Sequence, residues 1–200
     1  MEQKEAKNIT LPLTDEAVSD LKIGDVVYLT GTLYTARDAA HKRLCDLIAA
    51  GDPLPFDLHG QVIFYAGPAP QKPGQAIGSV GPTTSYRMDP FAPILMREAG
   101  LKGMIGKGKR NEAVKAALKE NNAVYFGATG GVAALLSKCV SKADVILYPE
   151  LGPEAVRRLE VKNFPVIVVN DANGGDLYQE EMKKYCAAHF AERRRTRSVS

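Results

Sequence analysis

Hydrophobic and polar positions change rhythm several times within the first half of the chain. Asn8 to Leu13 is a short apolar run suited to a strand, and Thr14 stands where a helix N-cap belongs, ahead of a brief helix through Leu21. Lys22-Ile23-Gly24-Asp25 is a turn signal, after which Val26-Val27-Tyr28-Leu29-Thr30 predicts a second strand. From Ala36 to Ala50 the residues Ala39, Ala40, Leu44, Leu47 and Ile48 recur at helical spacing; Gly51 offers a stop and Pro53 and Pro55 prevent continuation. Gln61 to Tyr65 predicts another strand. Residues 66–75 hold too much proline and glycine for regular structure and read as an exposed connection within one domain.

Beyond Ala76 strand and helix patterns alternate. Ala76 to Val80 predicts strand, Met88 to Ala99 helix, Lys102 to Ile105 strand, Asn111 to Glu120 helix, Ala123 to Phe126 strand, Val132 to Cys139 helix and Ala143 to Leu147 strand. Such alternation is the mark of parallel βαβ units with right-handed crossovers, so the fold class is α/β with a mixed N-terminal half. Val161 to Asn170 suggests further strand interrupted at Asn163-Phe164-Pro165, and Leu177 to Phe190 a closing helix.

Composition bounds the answer without choosing it. Two hundred residues, 45% hydrophobic and 24% charged, suit one domain over residues 1–192 followed by a basic tail at 193–200 that is expected to be disordered. Arg193, Arg194, Arg195 and Arg197 lie in that tail; without them the formal net charge of +3 becomes −1, so the body is no nucleic-acid surface. No stretch approaches 18 uninterrupted apolar residues, and Met1-Glu2-Gln3-Lys4-Glu5 lacks a signal peptide's apolar core, which predicts a soluble, cytoplasmic protein away from membranes. Cys45, Cys139 and Cys186 are odd in number, widely separated and without C-x-x-C spacing, and they fall in helix-like patterns where a thiol packs as a small hydrophobe. No metal site is expected in this chain, and any iron-sulfur chemistry must come from elsewhere.

In an open α/β sheet, ligands bind beyond the carboxyl ends of the strands, where loops converge and helix N-termini present N–H groups to anions. Four loops fall there. Thr35-Ala36-Arg37-Asp38 opens the first long helix. Gly81-Pro82-Thr83-Thr84-Ser85-Tyr86-Arg87 places three hydroxyls in a row before an arginine, Gly106-Lys107-Gly108-Lys109-Arg110 carries three cations, and Gly127-Ala128-Thr129-Gly130-Gly131 allows close backbone approach. Together Arg37, Arg87 and Lys107 suit a small molecule with two negative charges, and arginine's planar fork favours carboxylates over a lone phosphate. Plain readings stand beside these: hydroxyls as helix caps, the glycines as a turn, Lys109 and Arg110, and to a lesser degree Lys107, as solvated loop cations. Asp38 and His41, one helical turn apart, could be a base and its orienter or a surface contact. His59 and His189 have no partner that spacing supplies.

Two phosphate motifs fail. Gly103-Met104-Ile105-Gly106-Lys107-Gly108-Lys109-Arg110 has P-loop spacing, but Arg110 replaces the magnesium-binding hydroxyl and Gly103 lies within a strand. Gly127-Ala128-Thr129-Gly130-Gly131 lacks G-x-G-x-x-G spacing, and only Glu150 lies near the expected ribose-binding acid.

At these residues the chain resembles the β subunit, or C-terminal domain, of the iron-sulfur hydro-lyases that include class I fumarase and L(+)-tartrate dehydratase. The resemblance rests on Gly31-Thr-Leu-Tyr-Thr-Ala-Arg-Asp-Ala-Ala-His41, Gly81-Pro-Thr-Thr-Ser-Tyr-Arg-Met-Asp89, Gly106-Lys-Gly-Lys-Arg110, Gly127-Ala-Thr-Gly-Gly131 and Glu150-Leu-Gly-Pro-Glu-Ala155, in that order over most of the chain. It implies a swivelling β/β/α domain and reversible addition of water to a dicarboxylate double bond, fumarate to malate or the corresponding tartrate reaction. It further implies a 4Fe-4S cluster bound by a partner α subunit, a hetero-oligomer active only with that subunit, Arg37, Arg87 and Lys107 on the substrate carboxylates, and Thr83 as the catalytic group beside the moving proton. A neutral alcohol is a poor base unless cations stabilise its alkoxide. A non-catalytic binding module for a small dicarboxylate is the reading from a different class.

Overall fold

A computed structural model describes residues 5–128 and 133–186. In chain order its elements are β1 (Lys7–Thr10), α1 (Asp15–Asp20), β2 (Val26–Thr35), α2 (Asp38–Ala50), β3 (Val62–Phe64), a 3-10 turn at Ser85–Met88 and α3 (Ala92–Ala99). There follow β4 (Gly103–Gly106), α4 (Glu112–Glu120), β5 (Val124–Gly127), α5 (Ala133–Leu136), β6 (Val140–Leu147), a 3-10 stretch at Pro149–Glu154 and β7 (Val156–Asn170). A last helix, α6, occupies 177–186. The fold is mixed α/β. Local signals set several boundaries: the Thr14 hydroxyl accepts the Ala17 N–H at 3.2 Å to cap α1, the Asn111 side chain accepts the Val114 N–H at 2.9 Å to cap α4, and Gly51 ends α2 in the left-handed conformation.

Strands β1 to β5 pair in parallel, each with the next. β7 runs antiparallel to both β5 and β2, so pairing closes into a ring through β2, β3, β4, β5 and β7, with β1 and β6 flanking it. Strand alternation then divides the apolar residues between two cores. Val27, Leu29 and Leu33 of β2, Val62 and Phe64 of β3, Val124 and Phe126 of β5, and Phe164, Val166 and Val168 of β7 share one buried cluster. Residues of the opposite parity, Ile63, Met104, Tyr125 and Val169, join Leu44 of α2, Leu95 of α3, and Val114 and Leu118 of α4 in the other. The central strands are therefore buried on both faces, which is why β3, β4 and β5 read as unbroken apolar runs.

Four readings of the sequence are corrected. Ala76 to Val80 forms no strand, because its backbone bonds a loop and the start of α5 instead: Ala69 N–H donates to Ser79 O at 3.0 Å and Val80 N–H to Ala133 O at 3.2 Å. The helix expected from Met88 begins at Ala92, behind a separate 3-10 turn, since Pro90 and Pro93 lack the N–H groups a continuous helix would use. β7 starts before Val161, and the expected break at Asn163-Phe164-Pro165 is a bulge within one strand. It runs through 15 residues, with the β-bulge against β2 between Val161 and Phe164 where Asn163 takes φ 51°, and Ala143–Leu147 belongs to a strand lying antiparallel on it, not to a parallel unit. Pro165 is tolerated because it pairs opposite Tyr28 in the gap between β6, which reaches Val161, and β5, which starts at Ile167. Thr129 to Val132, His189 and the arginine tail lie outside the described residues.

Candidate active site

The carboxyl ends of the parallel strands stand side by side, Thr35 opposite Phe64, Phe64 opposite Ile105 and Gly106 opposite Gly127. The Pro82–Ser85 segment is laced into this edge. Ala66 bridges Pro82, Thr83 N–H donates to Tyr65 O at 2.7 Å, Lys107 N–H to Thr83 O at 3.2 Å, and Ser85 N–H to Lys107 O at 3.0 Å. Residues 82–85 thus lie between the continuations of β3 and β4, and Thr83 and Lys107 become backbone neighbours. Arg37 and Asp38 start α2 just past β2, and Arg87 reaches Asp38 from the 3-10 turn. The four residues singled out in the sequence occupy one rim.

Each carries a particular neighbour. The Thr83 hydroxyl donates to Tyr65 O at 2.7 Å. One edge of the Arg37 guanidinium meets Glu154, Nη2 to Oε1 at 3.2 Å, while the other oxygen of that carboxylate accepts the Ala39 N–H at 3.3 Å. Arg87 Nη1 lies 3.2 Å from Asp38 Oδ2. Arg37 Nε, Arg87 Nε and Asp38 Oδ1 are buried without a hydrogen-bond partner. Lys107 is exposed. Asp38 was read beside His41 and Glu154 was assigned no partner; the only signal for Glu154 was its place in the Glu150 to Ala155 segment.

Two expectations change here. His41 and Asp38 do not pair. His41 is fully buried with its ring edge-on to Tyr65, and its Nδ1 lies 2.9 Å from Arg37 O. A carbonyl can only accept, so Nδ1 carries the proton, and burial lowers the imidazole pKa from 6.5 to about 4. Arg110 is no solvated loop cation: its side chain is 0% exposed, its Nε donates to Asp89 Oδ1 at 2.6 Å, and its guanidinium stands 5.3 Å from the Tyr65 ring centroid and 4.9 Å from that of Tyr125. Lys109, by contrast, is exposed as expected.

A close backbone approach holds this region together. A Cβ on Gly106 would sit 2.0 Å from Ser85 Oγ, so only glycine lets that hydroxyl reach Tyr125 Oη at 2.9 Å. Tyr125 Oη in turn donates to Gly108 O at 3.0 Å.

The cysteines do not fit a shared cluster. Cys45 is buried in α2, where desolvation pushes its thiol up to about 11, while Cys139 and Cys186 stand on other elements, the last exposed. No group of three or more His, Cys, Asp or Glu among the described residues could hold a metal ion. No helix among them is long and apolar enough to cross a membrane.

The family model described as Fumarase C-terminus matches residues 1–181. The chain belongs to that family. Among the similar members is the L(+)-tartrate dehydratase subunit beta of Escherichia coli, 38% identical over 192 residues, covering 94% of this chain and 92% of the relative. The anaerobic class I fumarate hydratase of the same organism is 38% identical over 171 residues, covering 85% of this chain and 31% of the relative. Mitochondrial fumarate hydratase 1 of Leishmania major is 38% identical over 174 residues, 86% of this chain and 32% of the relative. This member of the Fumarase C-terminus family thus spans about a third of those fumarases and nearly the whole of the separate β subunit.

Proposed function

We propose that the chain is the β subunit of a cytoplasmic hydro-lyase that reversibly hydrates fumarate to malate, in a site shared with an α subunit that carries a 4Fe-4S cluster. Two half-satisfied arginines carry the reading. Arg37 and Arg87 each have one edge on a carboxylate and a buried Nε without a partner, on the rim that also holds Thr83 and Lys107. Buried donors of that kind call for a ligand or a partner surface.

In this reading Arg37, Arg87 and Lys107 grip the substrate carboxylates, each charge-assisted contact contributing roughly 1.5–3 kcal/mol. Thr83 lies against the carbon whose proton moves. Its hydroxyl donates to Tyr65 O, a carbonyl that cannot take the proton away; to act as the base Thr83 first gives that proton to a complementary base of the partner subunit, and the cations of the rim favour the alkoxide so formed. The chain's part is to bind and orient a diacid as the swivelling layer of a two-subunit enzyme; the iron belongs to the partner. L(+)-tartrate is the second reading, favoured by the β subunit relative that the chain covers almost from end to end.

Anaerobic mixing of the purified chain with its α partner and assay against fumarate, malate and L(+)-tartrate tests both. The expected result is activity from the mixture and none from this chain alone, with Arg87→Ala lowering kcat/KM about 100-fold, the effect of roughly 2.7 kcal/mol. Full activity without a partner would overturn the scheme. Tight diacid binding by the isolated chain with an inactive mixture would mark it as a binding module.

A further inference from the structure

Beneath the rim lies a charge pair that the functional reading does not use. The Arg110 side chain is 0% exposed and that of Asp89 6%, and the Arg110 guanidinium lies over the rings of Tyr65 and Tyr125. Desolvating two charges costs more than their attraction returns unless the geometry is good, and a buried pair is weak evidence of stabilisation. What this pair does supply is a fixed spacing. One Asp89 carboxylate spans two successive residues of the other loop, Oδ1 taking Arg110 Nε at 2.6 Å and Oδ2 taking the Asn111 N–H at 2.8 Å.

The two ends joined in this way belong to the two segments that present Thr83 and Lys107. At their upper end the segments are laced by the backbone bonds between Thr83, Ser85 and Lys107. In the middle, Ser85 Oγ meets Tyr125 Oη at 2.9 Å, and that hydroxyl donates to Gly108 O at 3.0 Å. At the lower end stands the ion pair. The 106–110 loop, with its glycines Gly106 and Gly108, would otherwise be free to shift against the 82–89 segment across the sheet edge.

We propose that the Asp89–Arg110 pair is a positioning clamp that sets the distance and register between Thr83 and Lys107. The clamp rests on the functional reading for its consequence in catalysis, but its geometric effect is measurable without activity. Both residues act through the loops they join and touch no substrate.

The decisive variant is the double substitution Asp89→Leu/Arg110→Met, which replaces the pair by apolar groups of similar length. If the pair serves packing alone, this change leaves the loops as they were; if it is a clamp, the protein folds but the loops loosen. Amide hydrogen exchange on the full chain is the primary readout, with α2 as internal reference. Exchange across 83–88 and 106–110 is expected to quicken about tenfold or more while α2 is unchanged. In the reconstituted complex kcat/KM is expected to fall about 100-fold, shared between a higher KM and a lower kcat, as suits a displacement near 1 Å.

Wild-type exchange in both segments of a folded double variant would overturn the clamp. Should that variant fail to fold, Arg110→Lys, which keeps the charge and loses the Nε donor, is read in the same way and against the same criterion. A wild-type complex inactive on every diacid would end the functional reading instead, and the exchange comparison would still decide the clamp.

Discussion

His41 shows how one buried side chain ties stability to pH. Its folded pKa, about 4, lies below the ordinary 6.5, so between those values the unfolded chain takes up a proton that the folded chain refuses. The stabilisation is complete above pH 6.5 and drains as pH falls toward 4, by about 3 kcal/mol in all. Urea unfolding across that range is expected to show a steeper acid loss for the wild type than for His41→Asn, which keeps a donor for Arg37 O but does not titrate. Gly106 makes a steric prediction at the same scale. Gly106→Ala would drive a methyl group into Ser85 Oγ and is expected to cost about 1–3 kcal/mol in denaturant unfolding, with partial recovery in Gly106→Ala/Ser85→Gly.

Among the elements, α2 and α4 were legible because their signals are local. Apolar residues at helical spacing, a terminal Gly51 and the Asn111 cap lie within a few positions of the helices they define. Asn111→Ala is therefore expected to lower stability by about 1 kcal/mol through α4, measurable as a drop in Tm. The misread segments failed for contextual reasons. Ala76–Val80 has strand-like residues but finds its hydrogen bonds in a loop and at the start of α5, and Asn163-Phe164-Pro165 looks like a break but is a bulge against β2 with Pro165 in the gap on the far edge of β7. A cap is read from neighbours; a ladder is read from a partner strand elsewhere in the chain.

For the whole molecule, ring closure by β7 is the decisive event. It turns one side of the sheet inward to form a core and leaves α2, α3 and α4 to cover the other side of β3, β4 and β5. The strand ends then share an edge, and the rim is built from residues between Arg37 and Arg110, closed on one side by Glu154. Because the arginine tail contributes none of these residues, deleting residues 193–200 is expected to leave the activity of the reconstituted complex unchanged.

The sequence by itself determined most helices, the apolar central strands and the loops after β2 and β4 that carry Arg37 and Lys107, because those periods can be counted locally; it pointed to Thr83 and Arg87 through the Ala76–Val80 pattern, which forms no strand. Only the tertiary structure decided what those residues face. Glu154 against Arg37, Asp38 against Arg87, and the burial of His41 and Arg110 depend on which distant segments the closed sheet brings within about 3 Å of one another. Charge pairing and desolvation are properties of position in space, and periodicity along a chain carries no record of them.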